Sequence, residues 1–123
     1  MGTLHPEQRI KNLLRMLAQQ NGSDLHLTVG RFPTIRIDGA LFPLKEEQIL
    51  SPSDTKELAE VIFSERHKKK LFDEGQVDFS YNFEDKARFR VNAFHQQGYL
   101  SVAFRLIPKE IRTLEQLNIY IIE

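Results

Sequence analysis

The feature that most constrains the fold is a series of three segments in which every second residue is apolar. Their apolar positions are Val77, Phe79, Tyr81 and Phe83, then Phe89, Val91 and Ala93, then Leu100, Val102, Phe104 and Leu106. A period of two predicts β-strands that bury one face. The breaks near Glu84 and Asp85, and near Gln97 and Gly98, are short enough for tight turns. The three strands are therefore predicted to form an antiparallel meander.

The amino-terminal part of the chain predicts one helix followed by shorter strands. Apolar residues recur at helical spacing over residues 6–20, at Ile10, Leu13, Leu14 and Leu17. Asn21 and Gly22 predict the end of this helix, because glycine readily takes the left-handed conformation. Alternation at Leu25, Leu27 and Val29 then predicts a strand. Two more short strands are predicted over residues 35–37 and 40–44, with a tight turn at residues 38–39 between them.

Two helices are predicted between these strands and the meander. Ser51, Pro52 and Asp54 have the pattern of a helix start: a hydroxyl cap, a proline at the first position and an acid three residues after the cap. Ser64 predicts the cap of a second helix, which Gly75 would end. The predicted fold class is α+β, with a mainly antiparallel sheet and helices packed on one of its faces.

Composition excludes several kinds of site. The chain of 123 residues fits one domain, and its formal net charge of zero removes the usual electrostatic argument for a nucleic-acid partner. No cysteine is available for a disulfide or a thiolate metal site, and no apolar run is long enough to predict a transmembrane segment. The phosphate-binding motif GxxxxGK[ST] is missing from these residues. We therefore expect no nucleotide hydrolysis by this chain alone.

The last predicted hairpin brings two arginines together. If Gln97 and Gly98 form a two-residue turn, Arg90 lies directly opposite Arg105, and like charges across a ladder repel. This repulsion must be compensated in one of three ways: by a carboxylate from elsewhere, by a bound anion, or by the two side chains splaying outward into water. Arg88 shares the face of Arg90, and guanidinium groups suit phosphate oxygens well. The alternative is that these arginines are solvated, or are paired with Asp78 or a glutamate.

Two other groups of polar residues favour structural roles. Asp24 and His26 share the polar face of a predicted strand, which invites an acid–base or metal interpretation. No further ligand or nucleophile follows at suitable spacing, so we expect no metal site and a partly buried histidine bonded to neighbouring elements. The basic run of Lys68, Lys69 and Lys70 could contact an acidic partner or nucleic acid, but a solvated helix face is the favoured interpretation.

Six segments, taken in order, resemble the amino-terminal domain of the PilT-type pilus-retraction ATPases, within the secretion ATPase superfamily. They are SDLHLT at 23–28, PTIRIDG at 33–39, VDFSY at 77–81, ARFRVNAF at 87–94, FRLIP at 104–108 and TLEQL at 113–117. The resemblance implies a PAS-like domain over residues 1–107, and a linker starting at residues 108–123 that leads to a RecA-like ATPase domain outside this sequence. The linker departs from the family pattern because no proline follows Leu117.

The resemblance also implies a role and partners. The parent protein would be an ATPase of type IV pilus retraction and twitching motility, using ATP and Mg²⁺. It would form a cytoplasmic homohexamer at the inner face of the bacterial membrane, next to pilus platform proteins of that membrane. The present domain would close over nucleotide bound by the ATPase domain of its own or a neighbouring subunit. Arg90 and Arg105 match the family's arginine-finger positions, and Arg88 is a weaker candidate for contact with the nucleotide.

Two other functions are compatible with the same residues. One is a stand-alone PAS-like sensor, which needs a roomy pocket with converging polar groups. The inward positions are mostly Leu, Ile, Val and Phe, and this composition favours a filled core over such a pocket. The other is a protein-interaction module with no role at a nucleotide.

Overall fold

The computed structural model describes residues 5–108, and in them the three period-two segments form the long strands of one sheet. The elements, in chain order, are α1 (Pro6–Gln19), β1 (Asp24–Leu27), β2 (Thr34–Ile37), β3 (Ala40–Pro43), α2 (Pro52–Ile62), α3 (Glu65–Glu74), β4 (Gln76–Phe83), β5 (Ala87–Gln96) and β6 (Tyr99–Ile107). The strand order is β3-β2-β1-β6-β5-β4, with every neighbouring pair antiparallel. The α+β prediction is confirmed.

The core lies between one face of the sheet and the apolar sides of the helices. Phe89 is fully buried near its centre and makes edge contacts with Phe83 and Phe104, at ring-centroid distances of 6.2 and 6.4 Å. The helical positions Ile10, Leu13, Leu14 and Leu17 cover the same face and are at most 1% exposed. Removing one large apolar side chain from such a core costs about 2–5 kcal/mol, so these residues fix the sheet in place.

Both predicted helix starts are present as capping boxes. Ser51 Oγ accepts a hydrogen bond from the Asp54 amide at 3.1 Å, and Asp54 Oδ2 accepts one from the Ser51 amide at 2.8 Å. At α3, Ser64 Oγ accepts from the His67 amide at 3.2 Å, while His67 Nδ1 accepts from the Ser64 amide at 3.1 Å. A histidine therefore fills the place that Glu or Gln usually takes in this motif.

The His67 ring is also packed against aromatic side chains. It stacks on Phe79 at a centroid distance of 3.6 Å and meets the edge of Phe63. Burial, and after it the charge of Arg66, lowers the pKa of His67 below its ordinary value. The neutral ring is the form that can accept the Ser64 hydrogen bond, so packing and capping favour the same protonation state.

The end of α1 differs from its prediction. Asn21, with φ of 56°, takes the left-handed conformation, whereas Gly22 does not. Gly22 is needed instead for space: a Cβ there would lie 2.7 Å from Leu17 Cδ1 and 2.9 Å from the Arg36 carbonyl oxygen. The glycine thus permits close approach of β2 to the end of the helix.

Two further details also differ. The strand predicted to include Val29 ends at Leu27, because the chain turns and the Gly30 amide donates to the Leu50 carbonyl at 2.8 Å. Arg9 lies off the apolar positions of α1, which would place it at the helix surface, yet it is 8% exposed and pairs with Glu47 and Asp54 at 3.4 and 3.3 Å.

The predicted helical stretch over residues 114–117 and nearly all of the predicted linker lie outside the described residues. None of the helices within residues 5–108 is long and apolar enough to cross a membrane.

Candidate functional site

A row of charged residues crosses the outer face of the sheet, opposite the helices. Strand register sets Arg36 of β2 beside Asp24 of β1, Asp24 beside Arg105 of β6, and Arg105 beside Arg90 of β5. These positions alternate with the buried residues of their strands, so all four side chains leave the sheet on the same face. Asp78 of β4 lies at the far end, next to Arg90. We call these five residues the charge row.

Arg90 and Arg105 are directly opposite one another, as the two-residue turn predicts. Each guanidinium is drawn toward a different carboxylate: Arg90 Nη2 lies 2.7 Å from Asp78 Oδ2, and Arg105 Nε lies 3.3 Å from Asp24 Oδ1. The like charges are therefore compensated by carboxylates, one of which is the Asp78 that the sequence offered as a partner. Both arginine side chains remain open to solvent, at 55% and 73% exposure.

Asp24 is the buried centre of the row. Its side chain is only 9% exposed, and its second oxygen, Oδ2, lies 3.5 Å from Arg36 Nε and 3.6 Å from His26 Nε2. Arg36 is held further by a 2.8 Å hydrogen bond from Nη1 to the Gly39 carbonyl. Sequence reasoning noticed that Asp24 and His26 share a face, but missed the two arginines, because both contacts depend on strand pairing. Arg36 is brought in by β2, and Arg105 by β6, from 81 positions away.

Arg88 extends the positive character of this face. It lies two residues from Arg90 on β5, opposite Asn82 and Ile107, and its side chain is exposed. Within residues 5–108 it makes no ion pair. Among the described residues, the outer face thus carries four arginines against two carboxylates, and its surplus of donors fits an anion with several oxygens, such as a phosphate chain.

The basic run of α3 is neutralised within its own helix. Lys68, Lys69 and Lys70 pair with Glu65, Asp73 and Glu74 at 3.5, 2.8 and 3.6 Å. Pairs of this kind on a helix surface contribute little to stability and leave no concentrated positive patch. The structure therefore supports the interpretation of this run as a solvated helix face.

No cluster of three or more metal-binding side chains occurs in the part of the chain that the structure describes. A groove of about 580 Å³ lies elsewhere, at the edge formed by α2, α3 and the β5–β6 turn. Its walls are mainly apolar and include Phe63, Leu71 and Leu100, with Phe72 and Tyr99 at 86% and 50% exposure. The groove is at the periphery, whereas a PAS-like sensor would need its pocket in the core.

Comparison with known proteins finds related sequences. No protein-family model matches the sequence. The chain is 36% identical over 112 residues to the type IV pilus retraction ATPase PilT of Pseudomonas aeruginosa, covering 89% of this chain and 31% of the relative. It is 30% identical over 109 residues to the type IV pilus ATPase PilU of the same organism, covering 89% of this chain and 28% of the relative.

A solved structure extends the similarity to the fold. The crystal structure of the pilus retraction motor PilT with bound ADP superposes with a TM-score of 0.79 at 37% identity, over 87% of this chain and 31% of that one. The fold and the sequence together identify an amino-terminal domain of the secretion ATPase class. Within that class, the chain is homologous to the pilus ATPases PilT and PilU. It spans about a third of the length of these relatives.

Proposed function

We propose that this domain closes over ATP held by a RecA-like ATPase domain, and that Arg90 and Arg105 contact the phosphates as arginine fingers. The observation that carries the proposal is the exposed cross-strand pair of guanidiniums on the charge row. Two further facts support it: a solved structure with the same fold is of a motor with bound ADP, and two relatives carry the name of pilus ATPases.

The chemistry follows from charge. ATP, bound with Mg²⁺ by the ATPase domain, supplies a phosphoryl group whose oxygens share negative charge in the transition state. Arg90 and Arg105 donate hydrogen bonds to those oxygens, and domain closure excludes water, which strengthens the attraction. Arg90 must exchange its bond to Asp78 for one to phosphate, whereas the terminal nitrogens of Arg105 have no partner in the part of the chain that the structure describes. Arg88 adds positive potential at the rim of the same face.

The proposal includes the assembly implied by the family. The complete protein is a cytoplasmic homohexamer at the inner membrane face, in which this domain contacts the ATPase domain of its own or a neighbouring subunit. It drives pilus retraction and thereby twitching motility, in contact with platform proteins of the inner membrane. The guanidinium groups of Arg90 and Arg105 reach the phosphates only when the domains approach each other. ATP turnover in one subunit is therefore coupled to domain closure in the next.

The test is ATP turnover by the complete ATPase that carries this domain. Arg90→Ala and Arg105→Ala are each expected to lower kcat by roughly 10²-fold or more, since an arginine finger acts mainly on the transition state. Arg→Lys at either position should restore little, because an ammonium group cannot reproduce the guanidinium fork. Lys68→Ala, on α3 and away from the charge row, serves as the control and should turn over ATP like the native protein.

Folding must be separated from chemistry in these variants. An exposed arginine contributes under about 1 kcal/mol to stability, so the thermal midpoint should shift by only a few degrees. If both alanine variants turn over ATP at the native rate, the arginine-finger role is wrong. It is also wrong if activity is lost only in parallel with unfolding.

A further inference from the structure

The carboxylate of Asp24 is held in place from several sides. Its strand is fixed by the Ser23 amide, which donates to the Arg36 carbonyl at 2.8 Å, and by the Leu106 amide, which donates to the Ser23 carbonyl at 2.9 Å. Among the described residues, Oδ2 of Asp24 faces Arg36 and His26, while Oδ1 faces Arg105. The side chain is almost completely buried although it lies on the outer face of the sheet. Asp24 is therefore the buried and fixed residue of the charge row, whose other members are more exposed.

The contact with Arg105 has a particular orientation. Asp24 engages Nε of Arg105, the nitrogen nearest the backbone, at 3.3 Å. Within residues 5–108 neither terminal nitrogen of this guanidinium has a hydrogen-bond partner, so both can form a fork on a second group. Arg36 differs because it uses Nε toward Asp24 and Nη1 toward the Gly39 carbonyl. Arg90 differs too, because Asp78 occupies one of its terminal nitrogens.

An exposed arginine needs such an anchor to act in one geometry. The Arg105 side chain is 73% exposed and would otherwise sample many rotamers. A long side chain with free rotamers loses entropy each time it binds, while a tethered one is ordered beforehand. The strand register sets Asp24 beside Arg105, and it thus fixes the orientation of the guanidinium plane before an anion binds.

We propose that Asp24 is a positioning residue, which orients Arg105 through Nε so that its two terminal nitrogens meet a phosphate of the bound nucleotide. The proposal rests on the proposed function of Arg105 and adds how the arginine is aimed. His26 and Arg36 act one step further away, by holding the other oxygen of the same carboxylate.

A double-mutant experiment in the complete ATPase tests this coupling. Asp24→Asn keeps the shape of the side chain and removes its charge, and it is expected to lower kcat roughly 10- to 100-fold, as small misplacements of a reacting group do. KM for ATP should change far less than kcat. In the Arg105→Ala background, Asp24→Asn should cause no further loss, because the residue it positions is missing. Asp85→Asn makes the same chemical change in an exposed turn and should leave turnover unchanged.

A second variant, Arg105→Lys, keeps the proposal testable if Asp24→Asn fails to fold. It leaves Asp24 in place with a positive charge beside it, but it has no Nε and no fork. A loss of kcat at least as large as that of Asp24→Asn supports the proposal, and native turnover overturns it. Equal losses from Asp24→Asn in the native and Arg105→Ala backgrounds also overturn it, since Asp24 would then act on something else.

Nuclear magnetic resonance on the 123-residue chain separates this inference from the proposed function. The Arg105 Nε–H signal should be protected from solvent exchange in the native chain and lose that protection in Asp24→Asn, while Asp85→Asn keeps it. Unchanged protection in Asp24→Asn overturns the positioning role, whatever the turnover data show. If protection is lost but Arg105→Ala turns over ATP normally, the anchoring stands and the proposed function fails.

Discussion

Replacing Gly22 by alanine tests how closely β2 approaches the end of α1. Gly22 is buried at the start of the loop into β1, and the next amide, that of Ser23, donates to the Arg36 carbonyl at 2.8 Å. An alanine Cβ would stand 2.9 Å from that same carbonyl oxygen and 2.7 Å from Leu17 Cδ1. Both distances are shorter than carbon contacts in folded proteins allow, so one of the neighbours must move.

The size of the effect depends on which neighbour yields. The Leu17 methyl ends a flexible side chain, but Leu17 is fully buried and has little space to rotate into. The Arg36 oxygen belongs to the backbone of β2 and cannot withdraw without weakening its bond to Ser23. Such overpacking costs about 1–3 kcal/mol. The lower entropy of the unfolded alanine chain recovers about 0.4–1 kcal/mol. Near the middle of both ranges a net loss of about 1–2 kcal/mol remains. Each kcal/mol lowers Tm by roughly 3–6 °C in a chain of 123 residues.

Thermal unfolding followed by circular dichroism measures this loss. Ser23→Ala, one residue later and exposed, is the matched control. It removes only the long 3.5 Å hydrogen bond from Ser23 Oγ to the Arg36 carbonyl and should stay within about 0.5 kcal/mol of the native protein, as surface substitutions usually do. If the Tm of Gly22→Ala equals that of Ser23→Ala, the close approach of β2 does not constrain residue 22 and the reasoning is refuted.

Three further predictions concern protonation, capping and turnover. Because the pKa of His67 is lowered by burial and by Arg66, the unfolded chain takes up this proton first as pH falls below about 6.5, and stability is lost there. Replacing His67 by Gln should shrink the Tm difference between about pH 7.5 and pH 5.5, and an unchanged difference would contradict the assignment. Ser51→Ala removes one hydrogen bond of the α2 capping box and should cost about 1 kcal/mol in a urea titration, whereas Ser53→Ala should cost much less. The 123-residue chain should release no phosphate from ATP above buffer background, because its sequence has no phosphate-binding loop.

Local patterns predicted those parts of the fold that depend on residues close in sequence. The turn at Gln97 and Gly98 allows one register, and so the pairing of Arg90 with Arg105 could be derived before the structure was known. The capping boxes could be predicted for the same reason, because a serine and the residue three positions later interact within one helical turn.

The remainder depends on contacts between distant segments. Nothing near Asp24 in the sequence indicates that β1 lies beside β6, so the ion pair between Asp24 and Arg105 could not be predicted. The requirement for Gly22 was missed because its cause is the carbonyl of Arg36, on another strand. The burial of Arg9 does not follow from the helical pattern of α1, because its two partners, Glu47 and Asp54, come from later parts of the chain.

In the hairpin of β5 and β6, Arg90 and Arg105 face each other only because the number of residues between each arginine and the turn is fixed. One residue inserted or deleted between Arg90 and the turn would send Arg90 to the helix side, unless a bulge absorbed the change. The same holds between the turn and Arg105. Homologous sequences that retain the pair should therefore tolerate many substitutions along these strands but few single-residue insertions or deletions. A count of residues across the hairpin would then separate relatives that keep both arginines on the outer face from those that do not.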